Sequence, residues 1–85
     1  MPDLEIDARG LLCPLPVLRL ARALRRAAPG TVAVLLATDP AAVEDVQTFC
    51  RERGATLLST EREGALLRFR VEKGAKGSPR RASAG

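Results

Sequence analysis

Cys13-Pro14-Leu15-Pro16 is the stretch of this 85-residue chain best suited to chemistry. The spacing of the residues that follow predicts a helix starting there, with Pro14 at its first position. The thiolate is the nucleophilic form of cysteine, and the partial positive charge at a helix N-terminus favours it. A loop-to-helix junction also tends to be exposed. A free thiol titrates near ~8.5 and helix N-termini lower that value. Together these predict a Cys13 that is substantially ionised and reachable. The prolines act in the opposite sense, because neither has an N–H to offer the sulfur. Pro16 also biases Leu15 away from helical geometry. The expected result is a rigid start to the helix, with Cys13 held by the prolines' fixed φ. The competing reading is that Cys13 is a small buried apolar residue, as free cysteines often are. Its position at a proline-flanked helix start favours the reactive thiol.

No base lies near Cys13 in the sequence, and the chain has no His, Trp or Tyr. A Cys-His dyad, a Ser-His-Asp triad and a His-based metal site are therefore excluded. Its two cysteines form no CxxC pair and make a weak metal site. A chain of this length holds one domain with a thin core and no room for a deep, walled cleft. A cysteine without a base or a cleft is suited to accepting and donating a group brought by a partner. A persulfide is a fitting cargo, since thiolate attack on sulfur needs no acid–base machinery in the carrier.

The elements that position Cys13 follow from the pattern. Leu4-Glu5-Ile6-Asp7 alternates as a half-buried strand does, and Ala8-Arg9-Gly10 reads as a turn. Val17, Leu20, Ala21, Leu24 and Ala28 share one helical face, with Arg19, Arg22 and Arg26 opposite and Pro29-Gly30 as the stop. Thr31 to Ala37 is continuously apolar and suits a central strand. Thr38-Asp39-Pro40 predicts a second helix start, with Asp39 as N-cap and Pro40 at the first helical position. Val43, Val46 and Cys50 fall on one face of that helix and Gly54 ends it. Thr56 to Thr60 reads as a third strand and Glu63-Gly64 as a hairpin turn. Leu67, Phe69 and Val71 alternate with Arg68, Arg70 and Glu72 in a fourth strand. The order β-α-β-α-β-β predicts an α+β two-layer sandwich, with a four-stranded mixed sheet and two helices on one face.

Hydrophobic residues make up 46% of the chain, too many for a disordered one. Residues 1–73 hold 11 Lys/Arg and 10 Asp/Glu, so the folded body is nearly neutral. Residues 74–85, with Lys76, Arg80 and Arg81 among Gly, Ser and Ala, read as a disordered basic tail. No apolar run reaches membrane-spanning length, and the acidic start has no signal-peptide pattern. The expected location is cytoplasmic, with both cysteines as thiols.

At this point the residues match a family. Asp7-Ala8-Arg9-Gly10-Leu11-Leu12-Cys13-Pro14-Leu15-Pro16 resembles the D-x-x-G-x-x-C-P-x-P signature of TusA/SirA-type sulfur carriers. Thr38-Asp39-Pro40, followed by Asp45-Val46 and Phe49-Cys50, resembles the second block of that family. The likeness covers roughly residues 4–73. It implies that Cys13 accepts sulfane sulfur as a persulfide from a cysteine desulfurase or rhodanese-like donor. It also implies relay to an acceptor protein serving tRNA thiolation, molybdenum-cofactor enzymes or sulfur oxidation. Pyridoxal phosphate would belong to the donor, so no bound cofactor is expected in this chain. Two positions depart from the pattern: Leu15 stands where some members carry Glu, and Ala55 where the block often continues with His.

The supporting residues have plainer readings beside the functional ones. Asp7 and Gly10 shape either the loop around the sulfur or an ordinary strand exit. Arg9, close in sequence, is a candidate to stabilise a thiolate or persulfide anion. Asp39 and Asp45 are candidate partner contacts, against an N-cap and a dipole-stabilised acid. Arg19, Arg22 and Arg26 either face solvent or dock an acidic donor surface. Cys50 reads as a core cysteine rather than a resolving thiol. Two other functions compete. An RNA-binding module fits the sandwich and tail, but with only Phe49 and Phe69 as aromatics no stacking platform is visible and direct nucleic-acid binding is not expected. A redox-regulatory interaction protein would use Cys13 as a sensor.

Overall fold

The computed structural model describes residues 4–74. The expected basic tail therefore lies outside the described residues, apart from Gly74. The elements run β1 (Leu4–Ala8), α1 (Leu15–Arg26), β2 (Val32–Ala37), α2 (Ala42–Arg53), β3 (Thr56–Glu63) and β4 (Leu66–Glu72). The strand order in the single mixed sheet is β1-β2-β4-β3. β1 pairs parallel with β2, while β4 runs antiparallel to both β2 and β3. The α+β two-layer sandwich expected from the sequence is the observed architecture.

Register explains the core. Ala8 pairs with Ala37, which pairs with Leu67; Ile6 pairs with Leu35, which pairs with Phe69. Side chains at every second position share a face of a sheet, so these residues line one side. Leu20 and Leu24 from α1 and Ala42, Val46 and Cys50 from α2 join them in one buried cluster. Both helices therefore cover the same face. Phe69 and Leu20 are among the largest fully buried side chains. Phe69 is thus withdrawn from any stacking role, and Phe49 is partly buried against the core with Arg53 over its ring.

The ends of the elements differ from expectation in instructive ways. α1 stops at Arg26 with Ala27 extended, so Ala28 lies beyond the helix and is exposed. Pro29 disfavours helical geometry at Ala28, which moves the stop upstream. Lys73 Nζ donates to the Ala27 carbonyl at 2.6 Å, satisfying a group the helix leaves open. α2 is regular only from Ala42. A tighter turn precedes it, with Ala42 N–H bonded to the Asp39 carbonyl at 2.9 Å. Asp39 caps this turn through Oδ1, which accepts from Ala41 N–H at 3.1 Å. Gly54 ends α2 in the left-handed region at φ 72°, where a Cβ would be strained. β3 extends to Glu63, so the hairpin turn falls on Gly64 and Ala65. A register shift between Leu57 and Ser59 leaves Leu58 exposed.

A core this small leaves each member with a large share of the stability. Leu20→Ala should cost about 2–5 kcal/mol, whereas Leu18→Ala, on the exposed side of the same helix, should change stability by less than about 0.5 kcal/mol. Urea denaturation followed by circular dichroism reads both.

Candidate functional site

The site forms where two loops meet. Because β1 and β2 are parallel and paired through Ala8 and Ala37, their C-terminal ends lie side by side. The segment after β1 (residues 9–14) and the segment after β2 (residues 38–41) therefore leave the sheet as neighbours. Ligand sites in sheets with parallel strands favour this location.

Side chains of the second segment hold the first. Gly10, at φ 80°, donates its N–H to Thr38 Oγ1 at 2.9 Å. Cys13 N–H donates to Asp39 Oδ2 at 2.8 Å. Asp39 therefore uses one oxygen to cap the α2 turn and the other to hold the backbone of Cys13. The Cys13 thiol in turn donates to Asp45 Oδ2, on the first turn of α2. The Cys13–Pro14 peptide is cis, Pro14 is the N-cap of α1, and Pro16 is buried within the first turn. Cys13 itself is exposed, and Cys50 is buried in the core.

The electrostatics of the thiol differ from what its place ahead of a helix predicts. α1 begins at Leu15 rather than Pro14, and the N–H of Leu15 is taken by the Leu12 carbonyl at 2.8 Å. The polar partner of the sulfur is a carboxylate. That contact pushes the Cys13 pKa up from 9.0 to about 11, with desolvation and the charges of Asp45 and Asp39 adding to it. The expected ionised thiolate is thus corrected to a protonated thiol. Burial alone raises Cys50 to about 11.

Arg9 is paired with Asp7 in the structure. Its Nε and Nη2 bond the two oxygens of Asp7 at 2.9 and 2.8 Å. This pairing lowers Asp7 to about 2 and occupies the guanidinium. Asp7 and Arg9 thus stiffen the exit from β1 together. Arg19, Arg22 and Arg26 are exposed on α1, opposite buried Pro16, Leu20 and Leu24. The sequence reading missed a second surface feature. Leu12, Leu15 and Leu18 are 72%, 47% and 55% exposed, and they flank Cys13 closely in the chain. It also missed Thr38 and the contact between Asp45 and the thiol. Parallel pairing of the first two strands was the signal that could have found both.

Among the described residues, no group of three or more His, Cys, Asp or Glu stands ready to hold a metal ion, and no helix is long and apolar enough to cross a membrane.

With this geometry in view, the comparisons with known proteins converge. A family model described as sulfurtransferase TusA matches residues 4–73. The chain belongs to the TusA family. The sulfur carrier protein TusA of Allochromatium vinosum is 39% identical over 71 residues, covering 84% of this chain and 93% of that protein. A crystal structure of a SirA-like protein from Desulfitobacterium hafniense shares the fold at a TM-score of 0.66, with 24% identity over 84% of this chain and 97% of that one. Both blocks that meet at Cys13 lie inside the matched TusA region.

Asp39 offers a test of how the loops are held. Hydrogen bonds from the Cys13 and Ala41 amides keep its carboxyl below the ordinary range. A lowered folded-state pKa means a contribution that is full above the unfolded value and lost as pH falls through the folded one. Asp39→Ala should lower the melting temperature at pH 7 and speed hydrogen exchange at the Cys13 amide. The gap from wild type should narrow as pH falls below the ordinary Asp value of about 3.9. A gap that persists at low pH would contradict this account.

Proposed function

We propose that this chain accepts a sulfane sulfur as a persulfide on Cys13 and relays it to an acceptor protein. The observation that carries this reading is the exposed Cys13 thiol at the meeting point of the two loops, with the second cysteine buried. A carrier must offer its sulfur to two partners in turn, and an exposed cysteine on a braced loop can do so. The donor would be a cysteine desulfurase or a rhodanese-like protein. Leu12, Leu15 and Leu18 supply an apolar contact patch, and Arg19, Arg22 and Arg26 supply charge that suits an acidic donor surface. Asp7, Gly10, Pro14 and Pro16 support the loop without touching the transferred atom.

Intact-protein mass spectrometry tests the reading. The protein is incubated with a cysteine desulfurase plus cysteine, or with a rhodanese plus thiosulfate. Wild type and Cys50→Ser should each gain one reducible sulfur atom, and Cys13→Ser should gain none. Absence of any gain in wild type with reduced, alkylatable Cys13 would overturn the carrier reading and favour a redox-regulatory role for the cysteine.

A further inference from the structure

We propose that Asp45 is the proton acceptor and proton donor for Cys13 in sulfur transfer. This deepens the carrier reading and rests on it. The sulfur sits against the carboxylate of Asp45, 32 residues further along the chain. Among the described residues, the side chains that Cys13 bonds are two carboxylates, Asp39 through its amide and Asp45 through its sulfur. The Cys13 amide is committed to Asp39, and Pro14 has no N–H. Among nearby charged groups, the segment after β2 contributes Asp39 and α2 contributes Asp45. The β1 end contributes Asp7 and Arg9, already paired, and Arg19 of α1 bears on Asp7. The resting thiol therefore holds a proton whose hydrogen-bonded acceptor is Asp45.

The chemistry balances without an added oxidant or reductant. During loading, the Cys13 thiol passes its proton to Asp45 as its sulfur attacks the terminal sulfur of a donor protein's persulfide anion. A new S–S bond forms on Cys13 and the donor's S–S bond breaks. The electron pair leaves on the donor's cysteine sulfur, which takes the proton from Asp45. The donor ends as a thiol and Cys13 as a persulfide anion. During discharge, Asp45 takes the proton of the acceptor's thiol as that sulfur attacks the terminal sulfur of Cys13. The Cys13–S bond breaks and Cys13 recovers the proton from Asp45.

The same carboxylate separates the empty and loaded states. The loaded Cys13 sulfur has no proton to donate, so its hydrogen bond to Asp45 is absent. The terminal sulfur lies about 2 Å further out, and its negative charge is repelled by Asp39 and Asp45. The empty thiol is held against Asp45 and protonated, which slows its adventitious alkylation because the thiolate is the reactive form.

Two measurements on Asp45→Asn test the inference. The first is the rate of Cys13 alkylation by iodoacetamide against pH, with the site located by peptide mapping. The Asp45 contact is the largest cause of the raised Cys13 pKa, so the midpoint should fall. Desolvation and the charge of Asp39 remain in the variant, so the midpoint should not fall all the way to the ordinary thiol value. The lower-pKa thiolate is a weaker nucleophile, which removes about half of the gain in thiolate on a logarithmic scale. Alkylation at pH 7 should therefore rise severalfold. The second measurement is the rate of sulfur uptake from a persulfidated cysteine desulfurase, which should fall at least tenfold, with partial recovery in Asp45→Glu. Opposite changes in the two rates are not expected of a merely structural residue, and a circular dichroism melt checks that both variants fold. An unchanged midpoint, or uptake at the wild-type rate, overturns the role of Asp45 while wild-type loading still supports the carrier. A wild type that takes up no sulfur overturns the carrier reading and this inference together.

Discussion

The parallel pairing of β1 with β2 is the constraint on which the site depends. Ala8 against Ala37 sets both strands to end at the same level. Everything that follows each strand is then delivered to one edge of the sheet. The Cys13 loop and the Asp39 turn meet there without either one folding alone into a site. The crossover through α1 makes this pairing possible, since parallel neighbours need a long connection. The packing of Leu20 and Leu24 onto the sheet therefore supports the chemistry as directly as the hydrogen bonds in the loops do.

The electrostatic character of the site follows from what that convergence brings. Sulfur chemistry is often served by a cation or a run of backbone N–H groups beside the thiol. Here the prolines remove N–H groups, Asp7 occupies Arg9, and Asp39 before α2 and Asp45 on it present two carboxylates. Such a surrounding favours the neutral thiol and disfavours an anion close to the loop. It fits the proposed carrier role, in which the thiol waits for a docked partner.

The exposed leucines and arginines of α1 form a second layer of the same logic. α1 is amphipathic in the ordinary sense on its core side, where Pro16, Leu20 and Leu24 are buried. Its outer side is not uniformly polar, because Leu15 and Leu18 are exposed alongside Arg19, Arg22 and Arg26. A helix with an apolar patch next to Cys13 and a basic stripe beyond combines the two surface chemistries that protein partners use.

Much of this was legible in the chain itself. Alternation in β4, the apolar run of β2 and the helical spacing of Leu20 with Leu24 specify element types because periodicity is a local property. The order of elements then restricts the topology to a two-layer sandwich. Cys13 stood out by residue type and position, and Cys50 by its apolar neighbours. Element ends were less legible, since the stop of α1 at Arg26 reflects Pro29 acting upstream and a cap from Lys73 far along the chain. The ionisation state of Cys13 was not legible at all. Local sequence supplies only the helix start and its dipole, which argue for a thiolate. The carboxylate that decides the matter lies on another helix, and only the parallel register of β1 and β2 brings it to the sulfur. A pKa depends on charges and donors within a few ångströms, whatever their separation along the chain. The sequence by itself therefore singled out Cys13, and tertiary structure decided that its thiol is exposed and protonated against a carboxylate.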